Sequence, residues 1–333
     1  MQHWLKAAWR EIYWGPSNLA LLARARLPQW VIYFGGTGFG DDLLLTAVLE
    51  ELRQRGVKRL AVVSRHEQIF RHSPSEIRFI DNEWRLLDLA RRYGARVAHP
   101  LYLLGAQPQY DVPSGSHLIT EMCRSIGLTG SVALKPYFYL TAAERAAGRL
   151  CERQAVIQCP ELKSMPHAPL KFWSAEGCQR VVELLQGELE FVQLGAKNDP
   201  LLRGAKDLRG QTSIRESAAI LANSRVNVGY VGFMMHLARA VDCRSVGIFG
   251  GRERPDQSGY AANENLFTPL PCSPCWRRYE CLYHHECMTA ITPVMVADAA
   301  RRAAARFGEP LVVERAEIPG QPEPFPLPWF SLV

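Results

Sequence analysis

The sequence predicts an α/β protein made of two doubly wound halves, each built around a parallel sheet. Three observations lead there. The chain has 333 residues, which at roughly 150 residues per domain suits two domains. Short apolar runs bounded by glycine alternate with helical patterns, as in parallel sheets with crossover helices. That alternation comes in two series, separated by the polar, alanine-rich stretch Leu140–Arg153. The predicted division is therefore 1–150 and 151–333.

In the first series, Trp30–Phe34 reads as a buried strand and Gly35–Asp41 as a glycine-rich turn. Leu43–Arg55 follows as a helix, with Leu44, Ala47, Val48 and Leu52 on one face. Then come a strand at Lys58–Val63, a strand at Arg78–Ile80, a helix at Trp84–Arg92 and a strand at Arg96–Ala98. Thr141, with Glu144 three residues on, is a capping box that starts a helix at the junction. The second series opens with a strand at Ala155–Gln158. It runs through the helix Ala175–Gln186, the strand Glu190–Gln193, the helix Ser213–Ala222 and strands at Val226–Val228 and Ser245–Phe249. A helix at Val294–Phe307 closes it. The tail Pro319–Pro328 carries five prolines and cannot be regular structure.

Composition bounds the function. Hydrophobic residues make up 47% and charged residues 22%, ordinary for a chain that buries real cores. The formal net charge of +6 suits an anionic ligand or membrane face and is too weak to argue for nucleic acid. No apolar run reaches the roughly 18 residues of a membrane span. The N-terminus carries Trp4, Lys6, Trp9, Arg10 and Trp14, unlike a signal peptide, so a cytoplasmic location is expected. That stretch suits either a helix packed across the domains or peripheral contact with an inner membrane face.

The turn Gly35–Asp42 is the first candidate site. A glycine-rich strand-to-helix turn brings backbone N–H groups close to a ligand, and a helix start favours anions. Its spacing is not the dinucleotide-binding G-x-G-x-x-G, so that reading is weak. From the residues, Asp41 fits a helix cap and Asp42 a second acid at the helix start.

The most informative segment runs from Asn198 to Cys287. It contains Asp207-Leu-Arg-Gly-Gln-Thr-Ser-Ile-Arg-Glu, then Val226-Asn-Val-Gly-Tyr-Val-Gly-Phe-Met-Met-His236, then Ser245-Val-Gly-Ile-Phe-Gly-Gly251. Cys272-x2-Cys275-x5-Cys281-x5-Cys287 closes it. In this order the pieces resemble the donor-binding half of heptosyltransferase-type enzymes, glycosyltransferase family 9. Gly40-Asp41 before Leu43-Leu-Leu-Thr46 is similar to the start of the same family. The resemblance covers about residues 30–300 and is strong only in 198–290.

It implies a GT-B arrangement: two facing Rossmann-like domains with the active site in a central cleft. The first half would hold a glycan, lipopolysaccharide or protein acceptor, with Asp41 as the base that takes the acceptor proton. The second half would bind a nucleotide-sugar donor, ADP-heptose being the family's usual one. Lys171 and His236 would meet the diphosphate, Asp199 the ribose, Thr212 and Ser213 the base. The Gly232 turn and Met235 belong to the same donor set. Arg252 and Arg254 would reach an anionic ligand. One departure stands out. Where the family has an aspartate, this chain has Val231, and where it has a glycine, Phe233. The loss makes a catalytically silent binding protein a rival reading, as is a transferase with another nucleotide sugar. From the residues alone, Lys171 and Asp199 also fit solvated surface charges, and His236 a satisfied core histidine.

There are nine cysteines. Four thiols within sixteen residues suit one tetrahedral zinc or iron site, with His284 and His285 as alternative ligands. Disulfides and free buried thiols are the other readings. Many family members carry a similar Cys-Pro-Cys…Cys…His-His-x-Cys-Met stretch, and autotransporter-modifying relatives use a cysteine-bound iron finger, so the resemblance implies a structural metal here.

Overall fold

A computed structural model describes residues 15–34, 38–106, 111–160, 169–277 and 281–320. The N-terminal tryptophans and their neighbouring cations up to Trp14, and the tail from residue 321, lie outside the described residues.

The first half begins with a helix over residues 15–24, α1. It continues as β1 (Trp30–Tyr33), α2 (Phe39–Gln54), β2 (Leu60–Ser64), α3 (Glu67–Phe70), β3 (Ile77–Asp81), α4 (Arg85–Arg92) and β4 (Arg96–Ala98). The four strands form a parallel sheet in the order β3-β2-β1-β4. All five residues of β2 are buried, because helices cover both faces of a parallel sheet. An antiparallel pair β5 (Leu103–Ala106) and β6 (Asp111–Pro113), then α5 (Leu118–Ser125), β7 (Gly130–Ala133) and α6 (Ala142–Ala147), complete this half. The expected capping box at α6 is present: the Thr141 hydroxyl accepts from Glu144 N and the Glu144 carboxylate from Thr141 N.

The second half runs β8 (Gln154–Gln158), a 3₁₀ turn Pro169–Lys171, α7 (Ala175–Leu184), β9 (Glu190–Leu194), β10 (Lys206–Asp207) and α8 (Ile214–Leu221). Then follow β11 (Asn227–Tyr230), α9 (Phe233–Ala240), β12 (Ser245–Ile248), α10 (Pro255–Ser258), β13 (Glu264–Leu266), α11 (Glu286–Thr289), α12 (Pro293–Ala305) and β14 (Arg315–Ile318). Its sheet is parallel throughout, in the order β10-β9-β8-β11-β12-β13. That is the doubly wound order 3-2-1-4-5-6, with the switch point between β8 and β11, where such sheets bind ligands beyond the strands' carboxyl ends.

Two features depart from the sequence expectation. The helix expected from Leu43 starts four residues earlier, at Phe39, so Asp41 and Asp42 sit inside its first turn. The last strand, β14, leaves the second half and pairs antiparallel with β7 of the first, Arg315 opposite Ala133 and Ile318 opposite Gly130. One apolar cluster also spans the halves. It joins Leu45 and Leu49 of α2 and Ile119 of α5 to Leu221 of α8 and Leu237 of α9. Arg215 of α8 adds polar stitching. It donates to both oxygens of Glu144, at 2.5 and 2.8 Å, and to the carbonyls of Tyr139 and Gln68.

Candidate functional site

The first wall is the start of α2. Gly38 occupies the N-cap without a side-chain bond to the helix. A Cβ built on Gly38 would stand 2.9 Å from Asp41 Oδ2, so the glycine lets this carboxylate fold back over the helix entrance. Asp41 is the third helical residue and not the cap. Its Oδ1 accepts a 2.9 Å hydrogen bond from the Tyr102 hydroxyl. Burial raises the Asp41 pKa to about 6, the Tyr102 bond draws it down, Asp42 pushes it up and Lys171 draws it down. Asp42 is 3% exposed and already occupied. Its Oδ2 accepts from the Ser64 hydroxyl and meets His66 Nδ1 at 2.7 Å. Of the two acids, Asp41 is therefore the one that is partly exposed.

The second wall comes from the loops after β8 and β12. Lys171 ends the 3₁₀ turn and pairs with Glu253. Glu253 also accepts from the Ser258 hydroxyl at 2.6 Å. Burial opposes its ionisation, but Lys171 and Ser258 outweigh that and hold its pKa below the ordinary range. Arg252 bridges to Asp111 of β6, and its guanidinium lies 5.3 Å from the Trp276 ring. The Nη1 of Arg252 is buried with no partner among the described residues. Asp41 feels the charges of both Lys171 and Glu253, and Tyr102 those of Glu253 and Arg252. The two walls therefore form one charged constellation across the halves.

Gly232 caps α9 in extended backbone, and the Phe233 ring beyond it lies 5.7 Å from the Phe39 ring at the start of α2. Val231 is 1% exposed, so the position of the family's acid is part of the core. His236 lies one turn into α9, buried, with Nδ1 2.7 Å from the Tyr260 hydroxyl. Burial lowers its pKa to about 3, so it is a neutral imidazole beneath the constellation rather than a cation within it. Met235 is 1% exposed and its sulfur packs under Gly247 of β12, a core position.

Asp199 is also buried. Its Oδ2 accepts from Ala196 N at 2.8 Å and closes the turn after β9, where Gly195 at φ 145 makes room for it. Ser213 caps α8 in a second capping box with Glu216, and Thr212 shares a 2.9 Å hydrogen bond with Ser217. Thr212 and Ser213 line a cleft of about 600 Å³ together with Gln68 and Arg71 of α3 and its C-terminal flank. Gln68 Oε1 is buried with no partner among the described residues. Arg254 forms a two-point pair with Asp256 at the start of α10, on the exposed side.

Among the described residues no group of three or more His, Cys, Asp or Glu side chains is arranged to hold a metal ion, and all nine cysteines are unpaired. Cys272, Cys275, Cys281 and Cys287 nevertheless line one pocket of about 40 Å³, with His285 beside them. The sulfur of Cys281 accepts backbone N–H groups of Tyr283 at 3.4 Å and His285 at 3.3 Å. Four soft donors line one small space, which is the donor chemistry a thiophilic ion such as zinc or iron prefers, without being arranged as a closed site.

Sequence reasoning missed Tyr102, Glu253 and Asp111. None sits in a motif. Tyr102 reaches Asp41 across 61 residues, Glu253 reaches Lys171 across 82, and Asp111 reaches Arg252 across 141. Glu253 lies inside the Gly250–Pro255 segment, whose resemblance drew attention to its arginines instead.

With the geometry in view, no family model matches the chain and no curated protein does. Solved structures do. The iron-containing dodecameric glycosyltransferase TibC of enterotoxigenic E. coli superposes with a TM-score of 0.65 at 17% identity, over 84% of this chain and 76% of that one. E. coli ADP-heptose LPS heptosyltransferase II gives 0.62 at 14% identity, over 83% and 98%. A family 9 glycosyltransferase from Veillonella parvula gives 0.61 at 13%, over 83% and 97%. The chain thus has the α/β, GT-B-like fold of the family 9 heptosyltransferases.

Proposed function

We propose that the protein is a glycosyltransferase that moves a heptose or related sugar, with inversion, from a nucleotide-diphosphate donor to a hydroxyl of a glycan, lipopolysaccharide or protein. The observation that carries this is the placement of Asp41, bonded to Tyr102 in one half, within the charge field of the Lys171–Glu253 pair of the other, at the carboxyl ends of both sheets. The acceptor hydroxyl gives its proton to Asp41 as its oxygen bonds the anomeric carbon. The bond from that carbon to the diphosphate breaks, and the nucleoside diphosphate leaves. A carboxyl titrating at about 6 is ionised at neutral pH yet basic enough to take that proton. Lys171 and the unpartnered Nη1 of Arg252, with the start of α9, face the leaving charge. The nucleoside takes the cleft at Thr212 and Ser213, with Gln68 across it. ADP-heptose is the donor favoured, since a neighbour of the same fold was solved with ADP-D-β-D-heptose. The four cysteines would hold a structural zinc or iron ion. It would brace the loop whose Trp276 carbonyl accepts from Asp111 N, outside the chemistry itself.

Among the described residues no helix is long and apolar enough to cross a membrane, so contact with an inner membrane face would be peripheral. A silent binding protein is the second reading, favoured by the buried Val231 in place of the family's acid. Calorimetry with ADP, GDP and UDP tests donor binding, and release of nucleoside diphosphate from ADP-heptose tests turnover. Failure of all three to bind the folded protein overturns the donor site. Binding without release in the presence of acceptors favours the silent reading.

A further inference from the structure

The far end of the second sheet carries a pocket that the transferase reading does not use. Arg225 lies two residues before β11 and Arg244 immediately precedes β12, whereas the Gly232 turn and Glu253 follow the other ends of these parallel strands. Together with Lys135, which follows β7, and Arg145 of α6, they line a groove of about 490 Å³. Its third wall is the crossover Phe307–Leu311 that leads from α12 to β14.

The charges there do not cancel. Lys135, Arg145, Arg225 and Arg244 supply four positive charges, and Asp242 and Glu309 two negative ones, leaving +2. Lys135 uses Asp242 at 2.6 Å and Arg244 uses Glu309 at 3.5 Å. Arg145 and Arg225 have no carboxylate partner among the described residues; Arg225 lies over the Phe307 ring at 5.7 Å. Among the described residues, two of the nine enclosed side-chain polar atoms without a partner, Arg225 Nε and Arg244 Nε, belong to residues that line this groove. Buried donors of this kind normally have a partner, and an ion is one of the usual missing ones. Arg306 adds further positive potential at Arg244.

We propose that this groove is a second binding site, for a small multivalent phosphate-bearing anion, which it holds between the two halves and the C-terminal crossover. Phe307, half-exposed at the rim, offers an apolar face to whatever the phosphate carries. Because Lys135 and Arg145 belong to the first half and Arg225 and Arg244 to the second, an occupant ties the halves together from behind the cleft.

The test uses inorganic pyrophosphate and the full chain carrying Lys171→Ala, which weakens anion binding in the cleft. Calorimetry at 0.15 M salt is expected to show a dissociation constant below about 1 mM. Adding Arg145→Gln, on an exposed helix where folding is not at risk, is expected to weaken binding roughly tenfold, the effect of losing one charge-assisted hydrogen bond. Arg225→Gln should act in the same direction. Absence of binding in the Lys171→Ala protein, or binding that persists unchanged through Arg145→Gln, overturns the proposal.

Discussion

Tyr102 and Asp41 stand 61 residues apart in the chain and share a 2.9 Å hydrogen bond in which the phenol donates to the carboxylate. The bond favours the charged form of Asp41 against the burial that disfavours it. Tyr102→Phe should therefore lift the Asp41 pKa above its present value of about 6. The acidic limb of the pH profile of kcat/KM should move to higher pH, with the alkaline plateau little changed. A limb that stays in place would show that another group sets it.

Asp41→Asn should remove most transfer, on the order of 10²–10⁴ in rate, while leaving nucleoside diphosphate affinity near that of the parent. Stability should move the opposite way. The folded pKa is raised, so Asp41 contributes its stability at low pH and loses it as pH rises through about 6. Above that pH the ionised carboxyl is a net cost of up to about 3 kcal/mol. The variant should accordingly melt higher than the parent at pH 8 and alongside it at pH 4. Thermal melts at the two pH values check the sign.

Arg215 joins α8 to the junction helix and to the first half through four hydrogen bonds, at 5% exposure. Arg215→Ala should cost about 3 kcal/mol in urea denaturation at pH 7. Its partner Glu144 is held at a pKa of about 2, chiefly by that guanidinium. The stabilisation is present above the ordinary glutamate range and is lost as pH falls through about 2, so the gap between parent and variant should close in acid. Arg215→Lys should recover little, since an ammonium cannot span both carboxylate oxygens and two carbonyls.

Gly148 lies where the junction passes α8. A Cβ there would sit 2.1 Å from the backbone carbon and oxygen of Ala219, which cannot yield as a side chain could. Gly148→Ala should destabilise by at least about 1–3 kcal/mol, the usual cost of overpacking. Gly115→Ala, with open space around it, should change little. Equal melting temperatures for the two variants would contradict this packing.

Protein purified without a histidine tag or chelator should carry close to one equivalent of zinc or iron, measured by elemental analysis. Replacing Cys275 with serine should release it and lower the melting temperature. Less than about one tenth of an equivalent, with four titratable thiols, would leave the cysteines as packing residues.

What the sequence determined by itself is what lies close together along it. Strand and helix periodicities, the Thr141–Glu144 capping box and the cysteine spacing are all written within a few residues of chain, because local backbone geometry links positions that near. Gly40-Asp41 at the start of α2 was legible for the same reason. Tertiary structure alone decided which of these residues meet. It set Lys171 against Glu253, gave Asp41 its tyrosine and sank His236, Met235 and Asp199 into packed surroundings. It also carried β14 back to β7 and placed four cations around a groove behind the sheet. Such contacts depend on how two sheets and their covering helices stack. No residue pattern of period two or 3.6 encodes a partner a hundred positions away.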